Sequence, residues 1–107
     1  METIKKRAEF IASSKGDKFV TPSFIFLKHK LNGAYVNDPK VGYTASKKIG
    51  GAVMRNRAKR RMRFLAKEVL FDSAQPNTNY VIIARRKILE YPFSQMANDL
   101  KKIIKKN

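Results

Sequence analysis

Nine cations, Lys47, Lys48, Arg55, Arg57, Lys59, Arg60, Arg61, Arg63 and Lys67, are gathered in one short stretch, and positions 39–67 hold no Asp or Glu. Guanidinium groups give forked hydrogen bonds to phosphate oxygens without losing their charge. Asn56, set among them, carries an amide that can donate to and accept from a base edge or a neighbouring side chain. A helix carrying this charge unpaired repels itself at each i, i+3 and i, i+4 contact, so the stretch calls for a polyanion. Other chemistries find little to work with. There is no Cys and one histidine, His29, so disulfide frameworks and Cys/His zinc sites are closed. The eight acids, Glu2, Glu9, Asp17, Asp38, Glu68, Asp72, Glu90 and Asp99, are scattered singly, whereas two-metal phosphodiester hydrolysis needs clustered carboxylates.

The whole chain shares the charge: 24 Lys and Arg against 8 Asp and Glu leave +16 over 107 residues, with 43% hydrophobic residues. This is the balance of one globular nucleic-acid-binding domain, spanning 1–107. No run approaches the roughly 18 apolar residues of a membrane span, and the start, with Glu2 and Lys5-Lys6-Arg7, lacks the apolar core of a secretory signal. A cytoplasmic protein with no membrane association is expected.

Several elements must position these residues. Residues 3–14 read as a helix capped by Thr3, with Ile4, Ala8, Ile11 and Ala12 on its packed face, Phe10 off that face, and Gly16 ending it. Phe19-Val20 and Phe24-Ile25-Phe26-Leu27 read as strands separated by Pro22. Asn32-Gly33 and Asn37-Asp38-Pro39 mark turns or a loop, and 41–46 is the next strand. The basic helix starts near Gly51 or Ala52 and runs to about Phe71, with Met54, Ala58, Met62, Leu65 and Val69 as its apolar stripe. After a polar loop over 72–79, the run Tyr80-Val81-Ile82-Ile83-Ala84 is too continuously apolar for a half-exposed strand and belongs in the centre of a sheet. The last helix begins near Pro92 and buries Phe93, Met96, Ala97, Leu100, Ile103 and Ile104. The order is α-β-β-β-α-β-α, a two-layer α+β sandwich.

On these residues the sequence resembles the protein subunit of bacterial ribonuclease P. The resemblance is carried by Val41-Gly42, Ser46-Lys47-Lys48, Gly50, Ala52-Val53, the signature Arg55-Asn56-Arg57, then Lys59-Arg60 and Arg63. Lys5-Lys6, Glu9-Phe10 and Ala84-Arg85-Arg86 extend it over nearly the whole chain. It implies a mostly antiparallel central sheet with a left-handed strand-helix-strand crossover, against the usual right-handed preference. It also implies a subunit of the ribonucleoprotein that removes the 5′ leader from precursor tRNA. Catalysis would then lie in the RNA subunit, which would hold most of the Mg2+, with no catalytic residue in this chain and no protein partner required. Carried over by position, Lys47, Lys48, Arg55, Asn56, Arg57, Lys59, Arg60 and Arg63 would bind the catalytic RNA. Phe10 and Arg86 would line a cleft for the single-stranded leader, where an aromatic face beside positive charge suits unpaired nucleotides. Ser14 and Leu27 stand where some members carry aromatics, which predicts weaker dependence on stacking.

Plainer roles stand beside these. A basic helix can be a solvated face, and Phe10 can be a core residue. Phe64 projects among Arg57, Arg60 and Arg61, where stacking on RNA and packing under a loop are both open to it. His29 reads as an exposed strand residue, Gly50-Gly51 as a strand-to-helix turn or a phosphate approach, and the methionines as core filler. The alternative function is a structural, ribosomal-type RNA-binding protein with no part in cleavage.

Overall fold

The computed structural model describes residues 1–33 and 36–106. Its elements run β1 (Glu2–Thr3), α1 (Arg7–Ser13), β2 (Asp17–Val20), β3 (Phe24–Lys30), β4 (Lys40–Thr44), α2 (Ala52–Leu65), β5 (Thr78–Ala84) and α3 (Phe93–Lys106). A 3-10 turn over Lys47–Ile49 precedes α2, a π-helical turn over Ala66–Leu70 prolongs it, and another 3-10 turn, Arg86–Leu89, follows β5. The loop marked by Asn32-Gly33 and Asn37-Asp38-Pro39 includes positions 34 and 35, which lie outside the described residues.

The five strands are ordered β1-β4-β5-β3-β2, so β5 is central, as its unbroken apolar run requires. β3 pairs antiparallel with both β2 and β5, whereas β4 pairs parallel with β5 and with β1. β4, α2 and β5 therefore form a parallel strand-helix-strand unit inside a mixed sheet.

Because side chains alternate along a strand, the sheet has two apolar faces. Phe24, Phe26, Val41, Tyr80, Ile82 and Ala84 point to the main core, where Ala58, Met62, Leu65, Val69, Leu70, Met96 and Leu100 of the two long helices meet them. Fully burying each of the larger side chains stabilises the fold by about 1.5–3 kcal/mol. Leu27 and Val81 point the other way, packing with Ile4, Phe10, Ile25 and Ile83 beneath α1. The sheet is thus partly covered on both sides, giving a third, smaller layer beyond the two expected from the element order.

Helix α1 departs most from expectation. It starts at Arg7, not at residue 3, because Thr3 is taken into β1 opposite Val41, and Lys6 occupies the cap position without a side-chain cap. Ile4 lies outside the helix yet is only 3% exposed, its backbone N–H donating to the Val41 carbonyl at 2.8 Å. The packed face of the helix then turns: Ser13 is buried and Phe10 half-buried, while Ile11 is 55% exposed. Tying the lead-in to β4 sets the roll of so short a helix, and its own periodicity does not. Gly16 follows α1 for want of space, since a Cβ there would stand 2.2 Å from the Lys28 carbonyl oxygen.

The basic helix matches its expected stripe except at Met54, which is 46% exposed and packs under Gly50. The first turn of α2 overhangs the end of the core, so its inward position has little to cover it. His29 is half-buried in β3, more enclosed than the exposed position expected of it.

Candidate nucleic-acid interface

Three features set the strand-to-helix junction in front of α2. Ser46 caps the Lys47–Ile49 turn, its Oγ accepting from the Lys48 N–H at 3.3 Å. Gly50 adopts φ 140°, a conformation that side chains resist and glycine allows. Gly51 then begins α2 with no side-chain cap and no acid in the first turn. The open amides and the helix dipole both favour an anion at that end.

Along α2 the buried Ala58, Met62 and Leu65 hold one side against the core, and the cations occupy the rest. Asn56, Arg57, Arg60 and Arg63 are exposed, Arg55 and Lys59 are partly buried at the flanks, and Lys47 and Lys48 are exposed just ahead of the helix. The expected RNA-binding residues therefore form one continuous surface. Among the described residues no carboxylate pairs with any of them; the recorded ion pair is remote, Lys40 with Glu9 at 3.3 Å.

Arg61 has a different task. Its guanidinium donates to the Tyr91 carbonyl and approaches Met96 Sδ at 3.4 Å, fastening the start of α3 to α2. Burial, followed by the charge of Arg57, lowers its pKa from the usual arginine value. A ligand meeting this helix finds Arg57 and Arg60 available and Arg61 already engaged.

A groove of about 660 Å³ lies on the other side of α2, between α1 and the sheet. Leu27, Val81 and Ile83 line its sheet side, and Phe10, Ile11 and Ser14 its helix side. Lys5, Arg7 and Lys59 bring positive charge, and no carboxylate lines it. Phe10 lies close over β4: a Cβ on Gly42 would be 2.5 Å from Phe10 Cε1 and 2.7 Å from Cζ. Phe10 is thus both a packing residue and a groove wall. Ser14 and Leu27 do lie in the groove, Ser14 Oγ donating to the Ile11 carbonyl at 2.6 Å. Arg86 does not line it; it is exposed in the turn after β5, beyond the strand end that the groove reaches.

Tyr43, near the end of β4, was missing from the expected site. It lines the groove, and the Arg63 guanidinium sits over its ring at 5.8 Å from the centroid. Burial raises the Tyr43 pKa, while Arg63 opposes the rise. Strand alternation places Tyr43 on the α2 side of the sheet, so sequence pattern alone points it away from α1. It reaches the groove because β4 is paired with β1 only through Lys40 and Val41, leaving the following residues at an open edge. Lys5 and Arg7, also unforeseen there, flank the Lys6 cap and were legible only as part of an N-terminal charge cluster.

Fold and surfaces together define a polyanion-binding α+β protein, with a cationic helix beside an aromatic, positively charged groove. The ribonuclease P family pattern matches residues 1–107. The ribonuclease P protein component of Brucella suis is 37% identical over 107 residues, covering 94% of this chain and 76% of that one. That of Ruegeria pomeroyi is 34% identical, covering 99% and 86%. The solved ribonuclease P protein of Staphylococcus aureus superposes with a TM-score of 0.74 at 28% identity, covering 98% and 94%. This chain belongs to the ribonuclease P protein component family, and so to the protein part of an endoribonuclease whose other part is RNA. Membership in this family displaces the ribosomal-type alternative. No described helix is long and apolar enough to cross a membrane.

Proposed function

We propose that this chain assists removal of the 5′ leader from precursor tRNA, docking the catalytic RNA on α2 and the unpaired leader in the groove under α1. The observation that carries this reading is the placement of Lys59. It belongs to the cationic surface of α2 and also lines the groove with Phe10 and Tyr43, so one protein surface can hold both RNAs side by side. Aromatic rings beside cations are suited to a single strand, each stacked base contributing about 1–3 kcal/mol. Tyr43 supplies a second ring in a groove where Ser14 and Leu27 supply none, which restores part of the stacking that those two residues remove.

Among the described residues no three of His, Asp or Glu come together as a metal site. The reading assigns the Mg2+ of hydrolysis mainly to the RNA subunit, since Mg2+ is commonly held by phosphate oxygens with few protein ligands. The chain's work is binding and charge neutralisation. It acts without a further protein partner, in the cytoplasm.

Reconstitution of the chain with ribonuclease P RNA and precursor tRNA at low magnesium tests this. Cleavage faster than with RNA alone is expected, and no gain would sink the proposal. Arg57→Ala should weaken assembly with the RNA, whereas Phe10→Ala should lower affinity for precursor tRNA and spare mature tRNA. Equal losses for both tRNAs would remove the leader from the groove.

A further inference from the structure

The outward side of α2 carries an exposed ring that neither the core nor the groove uses. Phe64 is 52% exposed, and its ring contacts Phe93 at the start of α3, centroid to centroid 4.8 Å with a 60° tilt. The pair is held from below. Arg61 fastens the Tyr91 carbonyl to α2, two residues before Phe93, so the second ring stands on a fixed backbone.

Charge surrounds the exposed ring. At about 100° per residue, Arg60 and Arg57 lie one and two turns before Phe64, within about 40° to either side of it. Both are exposed. Lys67 is exposed one turn after it, and Glu68, the first acid on the helix, marks the edge of the patch. By the same geometry Lys59 and Arg63 are roughly 100–140° away round the helix. Those two face the groove, one lining it and the other covering Tyr43. A half-exposed phenylalanine in water forgoes apolar burial. Set between arginines, it is equipped for a nucleotide whose base stacks and whose phosphates are held.

We propose that Phe64, backed by Phe93, is a stacking platform for an unpaired base of the ribonuclease P RNA, with Arg57 and Arg60 holding the adjoining phosphates. The occupant is the RNA subunit and not the leader, because the platform continues the Arg57 and Arg60 side of the cationic helix and is turned away from the groove that Lys59 lines. This inference rests on the proposal that α2 docks the RNA subunit.

The test is titration of the chain with its ribonuclease P RNA at several salt concentrations. Phe64→Ala should weaken binding about 5- to 150-fold, the range expected for one lost base stack. Phe64→Leu, which keeps apolar bulk and so guards the fold, should lose most of the same affinity, while Phe64→Tyr should stay within about twofold because it keeps the π-face. The log-log salt slope should not change for any of them, since a ring releases no counterions, whereas Arg60→Ala should reduce it by about 0.7–0.9. Precursor tRNA affinity of the assembled Phe64 variants should equal that of the parent.

Parental binding by both Phe64→Leu and Phe64→Ala overturns the platform and leaves RNA docking on α2 intact. Failure of the parent chain itself to bind the RNA overturns the docking proposal and the platform with it. Unchanged RNA affinity accompanied by loss of self-association in sedimentation would assign the ring to a protein contact and reject the RNA base.

Discussion

Placing one methyl group at Gly42 would test the construction of the groove. Gly42 is buried in β4 opposite Val81, and a Cβ there would lie 2.5 Å from Phe10 Cε1 and 3.2 Å from Ile4 Cβ. Carbon atoms prefer about 3.5–4.0 Å, so the Phe10 ring must retreat by on the order of 1 Å. The ring is the far end of a rotatable side chain on a short helix, and it should yield before the strand does. Overpacking costs about 1–3 kcal/mol, and replacing glycine within a strand returns about 0.5–1 kcal/mol. The balance, about 1–2 kcal/mol, should lower Tm by roughly 5–15 °C for a domain of this size. A ring displaced by 0.5–1 Å forfeits about a quarter to a half of its contact energy. Applied to a stack of about 1–3 kcal/mol, Gly42→Ala should weaken leader-dependent substrate binding roughly 2- to 10-fold, with RNA-subunit affinity unchanged. The assay pairs thermal melting with titration of the holoenzyme by precursor and mature tRNA, in the parent and in a Phe10→Ala background. Once the ring is gone, Gly42→Ala should no longer lower Tm and should be nearly silent in substrate binding, a coupling characteristic of residues in contact. Equal effects with and without the Phe10 ring would show that the backbone gives way instead, and would refute the argument.

Two further perturbations follow from the same contacts. Arg61→Ala should cost about 1.5–3 kcal/mol in urea denaturation, the usual range for a lost hydrogen bond to a charged group, and should reduce RNA affinity less than Arg57→Ala does. A larger RNA defect at Arg61 than at Arg57 would contradict its structural assignment. Tyr43 has a raised pKa in the fold, so its neutral form is favoured there. Its contribution is fully present below pH 10 and is lost as pH rises through the higher folded value. Alkaline melts of parent and Tyr43→Phe should therefore diverge above pH 10, with the parent losing more stability; parallel curves would show that the phenol is not desolvated.

The sequence by itself determined the chemistry of the ligand and most of the elements. The acid-free stretch over 39–67 required a polyanion whatever the fold, since charge follows from composition. Long-period signals were equally legible. The run from Tyr80 to Ala84 demanded a central strand, and Ala58, Met62, Leu65 and Val69 demanded a helix packed along one side, because each pattern repeats often enough to outweigh local exceptions. Helix α1 departs from its periodicity because two turns carry too few apolar positions to specify a roll, and its lead-in is captured by β4 through Thr3 and Ile4. Only tertiary structure could decide which cations stay available. Arg61 looks like its neighbours in sequence, yet it is engaged by the Tyr91 carbonyl, a group 30 residues further on. The groove likewise depends on distant segments meeting: Phe10 over Gly42, Tyr43 at the unpaired end of β4, and Lys59 from the far side of the junction. Such a site is formed by separation in sequence and proximity in space, and one-dimensional periodicity records only the first.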